Sequence, residues 1–181
     1  MAAISGIVLA AGAGTRAGGP KALLRLPDGT PWLEVAASVL FDAGCERVIV
    51  VLGAMSDLAR PLVPPTAEVL IADDWSLGIS ESLRTGLAAA SGDAALITLV
   101  DLPDLPVAVA LRVAAGAGTT SLRQAVFQGR PGHPVLIGRD HWMPAAATLS
   151  GDRGARGYLT AHGAEHLECG DLWHGADRDA G

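Results

Sequence analysis

The chain is short of the residues that mark several broad classes of protein. Aromatic side chains make up 4% of it, and Trp75, Trp142 and Trp173 stand apart from any cluster of basic residues. Single-stranded nucleic acid is held on aromatic platforms beside cations, so that class gains no support. Lysine and arginine total 13 against 19 acidic residues, for a net charge of −6. A broad grip on a phosphate backbone needs the opposite sign, whereas a small anion needs only a local cationic pocket. Cys45 and Cys169 are the only cysteines and form no CxxC pair. That argues against a disulfide framework or a structural zinc, and both thiols are expected to be buried and reduced. No apolar run approaches the ~20 residues that cross a bilayer. Met1-Ala2-Ala3 leads straight into an apolar segment without a basic stretch, so the expectation is a soluble, cytoplasmic protein with no membrane and no nucleic-acid partner.

Half of the 181 residues are hydrophobic and 18% are charged, as expected of one compact domain with a sizeable core. Short β-rich runs alternate with helical patterns, which predicts a layered α/β domain. The spacing predicts strands over 4–9, 47–52, 68–71, 94–100, 121–127, 134–137 and 166–168. It predicts helices over 32–42, 56–62, 79–90, 107–115, 140–149 and 153–161. Pro31 is read as the first helical residue and Gly44 as the C-terminal cap of the same helix. The runs at 4–9 and 48–52 are apolar without alternation, as in strands of a parallel sheet covered on both faces. Ligands of such sheets sit beyond the carboxyl ends of the strands.

The most informative segment begins at the carboxyl end of the first strand. Leu9-Ala-Ala-Gly-Ala-Gly-Thr-Arg-Ala-Gly-Gly-Pro-Lys21 is a glycine loop with two cations. Glycines can present bare N–H groups to a ligand, and Arg16 and Lys21 bring charge suited to phosphate oxygens. A Walker A loop is excluded, because Pro20 stands where its lysine should follow Gly19. Gly12-Ala-Gly14-Thr-Arg-Ala17 matches the dinucleotide fingerprint GxGxxG/A. Against that reading, Gly18-Gly19-Pro20 would interrupt the helix that must follow, and the second strand ends Val51-Leu52-Gly53 without an acidic ribose ligand. The remaining alternative from the residues alone is a surface turn with two solvated cations.

Taken with Pro20-Lys21, the segment LAAGAGTRAGGPKALL resembles the LAAGxSxRMGxPKxLL signature of the MobA-like nucleotidyltransferases. It is most similar to the branch of MocA and CoxI-like molybdenum cofactor cytidylyltransferases. The resemblance continues in order through DDWSLGISESLRTGL at 73–87, VDLPDL at 100–105, GRPGHPVLI at 129–137 and SGDRGARGYL at 150–159. It implies a single three-layer α/β/α domain with a mostly parallel, mixed sheet of the Rossmann-like nucleotidyltransferase fold over 1–173, followed by a polar tail, 174–181, expected to be disordered.

The resemblance also implies an activity: transfer of a nucleotidyl group from a nucleoside triphosphate to a phosphorylated acceptor, of the molybdopterin type, with release of pyrophosphate. Ala11, where the guanylyl branch has a second glycine, favours CTP over GTP. By motif position, Leu9, Ala10, Ala11, Gly12, Ala13 and Gly14 would hold the nucleotide with Arg16, while Lys21 would approach the α-phosphate. Gly78 and Ser82 would line the base and acceptor side, with Ser82 on a helix face as the plain alternative. Asp101 follows its strand directly and would bind Mg²⁺ or Mn²⁺, or else serve as a turn residue. Asp152 is read equally as a metal ligand or a helix cap, and Asp171 as a second metal ligand. Asp104 is read as a cap for the helix after Pro106, and His133 as facing the acceptor or as structural.

The match has gaps. Trp173 replaces an aspartate of the family's DIDTPxD ending, Ala72 replaces an asparagine, Ala17 a methionine and Val100 a glycine. An NAD(P)H-dependent oxidoreductase and a non-catalytic nucleotide-binding partner of a molybdenum hydroxylase therefore stay open as alternatives.

Overall fold

The protein was studied as a computed structural model, which describes residues 2–14 and 18–178. Seven strands form one sheet: β1 (Ile4–Ala10), β2 (Arg47–Leu52), β3 (Glu68–Ile71), β4 (Ala94–Leu99), β5 (Leu122–Phe127), β6 (Arg130–Gly138) and β7 (Glu165–Glu168). Their order is β3-β2-β1-β4-β6-β5-β7. β6 runs antiparallel to both β4 and β5, and every other pairing is parallel. The sheet is therefore mixed, with one reversed strand.

Alternate residues of the central strands feed two cores, as the two-residue period of a strand requires. Val8, Val48, Val50, Leu96 and Leu136 pack on one face against α1 (Trp32–Asp42) and α4 (Val107–Ala114). Ile7, Ile49, Val51, Ile97 and Ile137 pack on the other against α3 (Ile79–Ala89), α5 (Arg139–Thr148) and α6 (Arg156–Ala161). The result is the expected three-layer α/β/α arrangement. No helix among the described residues is long and apolar enough to cross a membrane.

Departures from the sequence reading have local causes. The helix expected over 56–62 is a short α2 (Ser56–Ala59) followed by a 3-10 turn, since Pro61 has no N–H to continue it. Pro31 is the N-cap rather than the first helical residue, with ψ at 139°. The helix expected over 153–161 is split into a 3-10 turn, Gly151–Arg153, and α6, with Gly154 at φ +52° between them. β6 begins at Arg130, four residues before the expected start at Pro134. Prolines are tolerated there because pairing with β4 starts only at Val135, leaving the earlier segment an edge.

Candidate active site

The chain moves outward from β1 to β2 and β3, then returns to place β4 on the other side of β1. At such a switch point, the loops leaving the carboxyl ends of the two strands diverge and leave a crevice. A cavity of about 590 Å³ lies there, lined by Leu9 to Gly14 after β1 and by Leu99, Val100 and Asp101 after β4. Lys21, Trp75, Ser76, Gly78, Ile79, Ser82 and Asp152 complete its wall.

The described ends of the glycine loop meet, with the Gly19 N–H donating to the Gly14 carbonyl at 3.1 Å. Gly14 has φ +60°, and a Cβ there would lie 1.8 Å from the Gly19 oxygen. Only glycine fits. The chain then enters a 3-10 turn, Lys21–Leu23, which carries Lys21 Nζ to 3.1 Å from Asp101 Oδ2. Both side chains are about four-fifths shielded from solvent.

Asp101 Oδ1 is buried and has no hydrogen-bond partner among the described residues. A carboxylate oxygen left bare beside a cavity is a suitable donor for a hard divalent cation. No group of three His, Cys, Asp or Glu that could hold a metal occurs among the described residues. The residues therefore fit an ion held by one carboxylate and completed by phosphate oxygens and water, the usual habit of Mg²⁺.

Gly78 sits at the N-terminus of α3 with φ +115°. A Cβ there would lie 2.5 Å from the Gly151 backbone and 2.7 Å from Asp152 Oδ1. The bare glycine lets the 151–153 turn close onto α3, so the Asp152 carboxylate stands at the positive end of that helix. α6 starts with Ala155 as its N-cap and no capping side chain, which removes the helix-cap reading of Asp152. Ser82 is buried on the cavity side of α3.

A second cavity of about 330 Å³ adjoins the first, and Leu9, Ile79 and Asp152 line both. Its other walls come from the β5–β6 hairpin, with Gln124, Gly132 and His133, and from Arg153 and Arg156. Neither arginine has an ion pair or hydrogen bond among the described residues. Desolvation pushes the His133 imidazole down to about 4, opposed by the nearby charge of Asp101. The ring is thus neutral at pH 7.

Residues 6–167 match the MobA-like NTP transferase domain. The chain belongs to this family. It is 35% identical to the nicotine blue oxidoreductase of Paenarthrobacter nicotinovorans over 97% of this chain and 92% of that protein. It is 34% identical to a probable molybdenum cofactor guanylyltransferase of Rhodopirellula baltica over 56% of this chain and 50% of that one. Among solved structures, Rv0371c of Mycobacterium tuberculosis H37Rv superposes with a TM-score of 0.81 at 26% identity, covering 98% of this chain and 93% of that one. A manganese complex of Rv0371c superposes at 0.77 and 26%, covering 92% and 88%.

Of the residues singled out in the sequence of this MobA-like protein, Leu9 to Gly14, Lys21, Gly78, Ser82, Asp101 and Asp152 meet around one cavity. Arg16 lies outside the described residues. Asp171 is placed elsewhere, and the expectation of a metal ligand there is corrected: both its oxygens accept from Arg112, at 2.6 and 2.9 Å. That guanidinium holds the Asp171 carboxyl below the usual range, and Asp171 lines neither cavity. Asp104 does not cap α4, whose N-cap is Pro106; its carboxylate accepts from Arg178 at 2.8 Å. Trp173, in the position of a family aspartate, packs edge-on against Phe127 with centroids 5.4 Å apart. Residues 174–178, expected to be disordered, run back toward Asp101.

Sequence reasoning assigned no role to Gln124, Arg153 or Arg156, and read Trp75 as packing. The signal for the last three lay inside the quoted segments DDWSLGISES and SGDRGAR, where a motif residue without an assigned role deserved one.

Proposed function

We propose that the protein transfers a nucleotidyl group from a nucleoside triphosphate, with CTP preferred to GTP, to an anionic acceptor bound in the second cavity. The observation that carries this reading is the convergence of the closed glycine loop, Lys21 and Asp101 on one cavity. Backbone N–H groups of the loop and Lys21 suit a triphosphate, and Asp101 suits Mg²⁺ or Mn²⁺. A bound divalent cation would supply charge for the phosphate oxygens.

In this scheme an acceptor phosphate oxygen forms a bond to the α-phosphorus while the bond to the bridging oxygen of the β-phosphate breaks, and pyrophosphate leaves with the electron pair. Such a transfer is accelerated mainly by positioning and by stabilising charge. Lys21 stands where negative charge grows, while Arg153 and Arg156 draw the acceptor's anionic group to the other side of Asp152. A phosphate nucleophile is already ionised near neutral pH, so His133 orients the acceptor without removing a proton.

A phosphorylated pterin of the molybdopterin type fits the relationship to a molybdenum cofactor guanylyltransferase, and a molybdenum hydroxylase would then receive the product. A second reading, pyridine-nucleotide-dependent reduction, is favoured by the 35% identity with nicotine blue oxidoreductase along nearly the whole chain. A pyrophosphate-release screen of CTP, GTP, ATP and UTP, with and without molybdopterin, separates the two when run beside an NAD(P)H oxidation assay. Release that requires the pterin supports transfer. No release with any nucleotide, alongside NAD(P)H oxidation, would overturn it, and nucleotide binding without either reaction would indicate a non-catalytic partner.

A further inference from the structure

Residue 178 meets the turn after β4 at two points. Its main-chain N–H donates to the Asp101 carbonyl at 2.9 Å, and its guanidinium donates to Asp104 Oδ1 at 2.8 Å. We propose that the 171–178 segment is a brace for this turn, and that the main-chain N–H of residue 178, rather than its side chain, fixes where Asp101 presents its carboxylate. The inference rests on the nucleotide-transfer reading only for its consequence at Asp101.

Among the described residues the turn has few other backbone supports. The Val100 N–H reaches the Leu9 carbonyl before it, and the Leu105 N–H closes on Leu102 after it, each at 3.1 Å. Between those points the Asp101 carbonyl is met by Arg178. Among the described residues Asp101 Oδ1 makes no bond that would orient the side chain, so the direction of the carboxylate depends on the Lys21 pair and on the backbone beneath it.

The brace is itself anchored. Arg112 takes both Asp171 oxygens and also donates to the Glu168 carbonyl at 2.7 Å. Trp173 packs on the buried Phe127. Gly175, at φ +74°, lies so close to the same ring that a Cβ would be 2.3 Å from it. A course fixed at Asp171, Trp173 and Gly175 delivers residue 178 to Asp101 in a set position. The Arg178–Asp104 pair is well exposed on both sides, and such pairs contribute little. The main-chain bond should therefore carry the effect.

The test compares Arg178→Ala, which keeps the N–H, with Arg178→Pro and with a chain carrying an ester in place of the 177–178 amide, which both delete it. Gly175→Val pushes the segment off Phe127 by a separate route. Hydrogen exchange at the Leu105 amide, which is bonded to the Leu102 carbonyl, reports the turn, and affinity for Mn²⁺ with CTP reports the site. The N–H deletions and Gly175→Val are expected to speed exchange about tenfold or more. They should weaken nucleotide binding about tenfold, seen in turnover as a raised KM with kcat less affected, because small displacements of a positioned group are costly. Arg178→Ala should stay within about twofold on both. Unchanged exchange, or faster exchange with undiminished nucleotide affinity, overturns the proposal. A wild-type protein that binds no nucleotide tells against the nucleotide reading alone, and the exchange result still decides for or against the brace.

Discussion

Lys21 Nζ stands 3.1 Å from one oxygen of Asp101, and the other oxygen of that carboxylate is buried without a partner among the described residues. Lys21 lies in the 3-10 turn beyond β1 and Asp101 just after β4, 80 positions apart, so the fold is what creates the pair. A buried acceptor left bare costs roughly 1–3 kcal/mol, a cost that a ligand cation at Oδ1 would remove.

Asp101→Asn and Lys21→Ala should each lower the rate of pyrophosphate release by about 100-fold or more, as expected when a charge facing the reacting phosphates is lost. Both side chains lie at the ligand end of the sheet, outside the two cores. Thermal unfolding should therefore move by only a few degrees, which calorimetry would check.

Gly14→Ala places a methyl group where the Gly19 carbonyl already is. The expected outcome is a reopened loop, with the rise in melting temperature on adding CTP and Mg²⁺ largely abolished. Far-UV circular dichroism should remain that of the native sheet, because β1 ends at Ala10.

Acid should weaken the fold through His133. Its folded value of about 4 lies below the ordinary 6.5, so between those limits the unfolded chain binds the proton and the folded chain does not. Its contribution is complete above about pH 6.5 and is lost as pH falls toward 4. The gap corresponds to at most about 3.5 kcal/mol, less after allowance for the ring's partial exposure. Urea midpoints between pH 4 and 7 should show this slope in the wild type and a flatter one in His133→Asn.

Asp171→Asn loosens one anchor of the 171–178 segment but removes no ligand from the cavity, since Asp171 is committed to Arg112 at the surface; it should raise KM modestly and leave kcat and the requirement for Mn²⁺ unchanged. A hundredfold loss, or a changed requirement for Mn²⁺, would restore it as a metal ligand.

Cys45 is buried and its thiol is pushed up to about 12 by desolvation, while Cys169 is fully shielded and also raised. Thiolates are the reactive form. A disulfide reagent at pH 8 should label neither in the native protein and both after denaturation.

The sheet was legible because β1, β2 and β4 are apolar runs ended by turn residues, a pattern set by burial on both faces. The helix-covered sheet followed from those unalternating runs and the cavity walls after β1 and β4 from motifs next to their strand ends, whereas Gly78, Ser82 and Asp152 came only with the family resemblance. Other features depended on contacts distant in sequence. Nothing near Asp171 announces Arg112, 59 positions away, and nothing near Asp101 announces the main chain of residue 178. The first residues of β6 were missed, because Pro131 argues against a strand unless it is known that the segment has a partner on one side only.

The reversal of β6 has a further consequence for how such a protein can change. The first cavity is built from parallel strands and their outgoing loops, the second largely from the β5–β6 hairpin and the 151–156 segment. Apart from the shared Leu9, Ile79 and Asp152, the pieces that would choose the acceptor can therefore be reshaped without disturbing those that would hold the triphosphate. What is modified and how it is modified become separable traits, and one scaffold can serve relatives that bear quite different names.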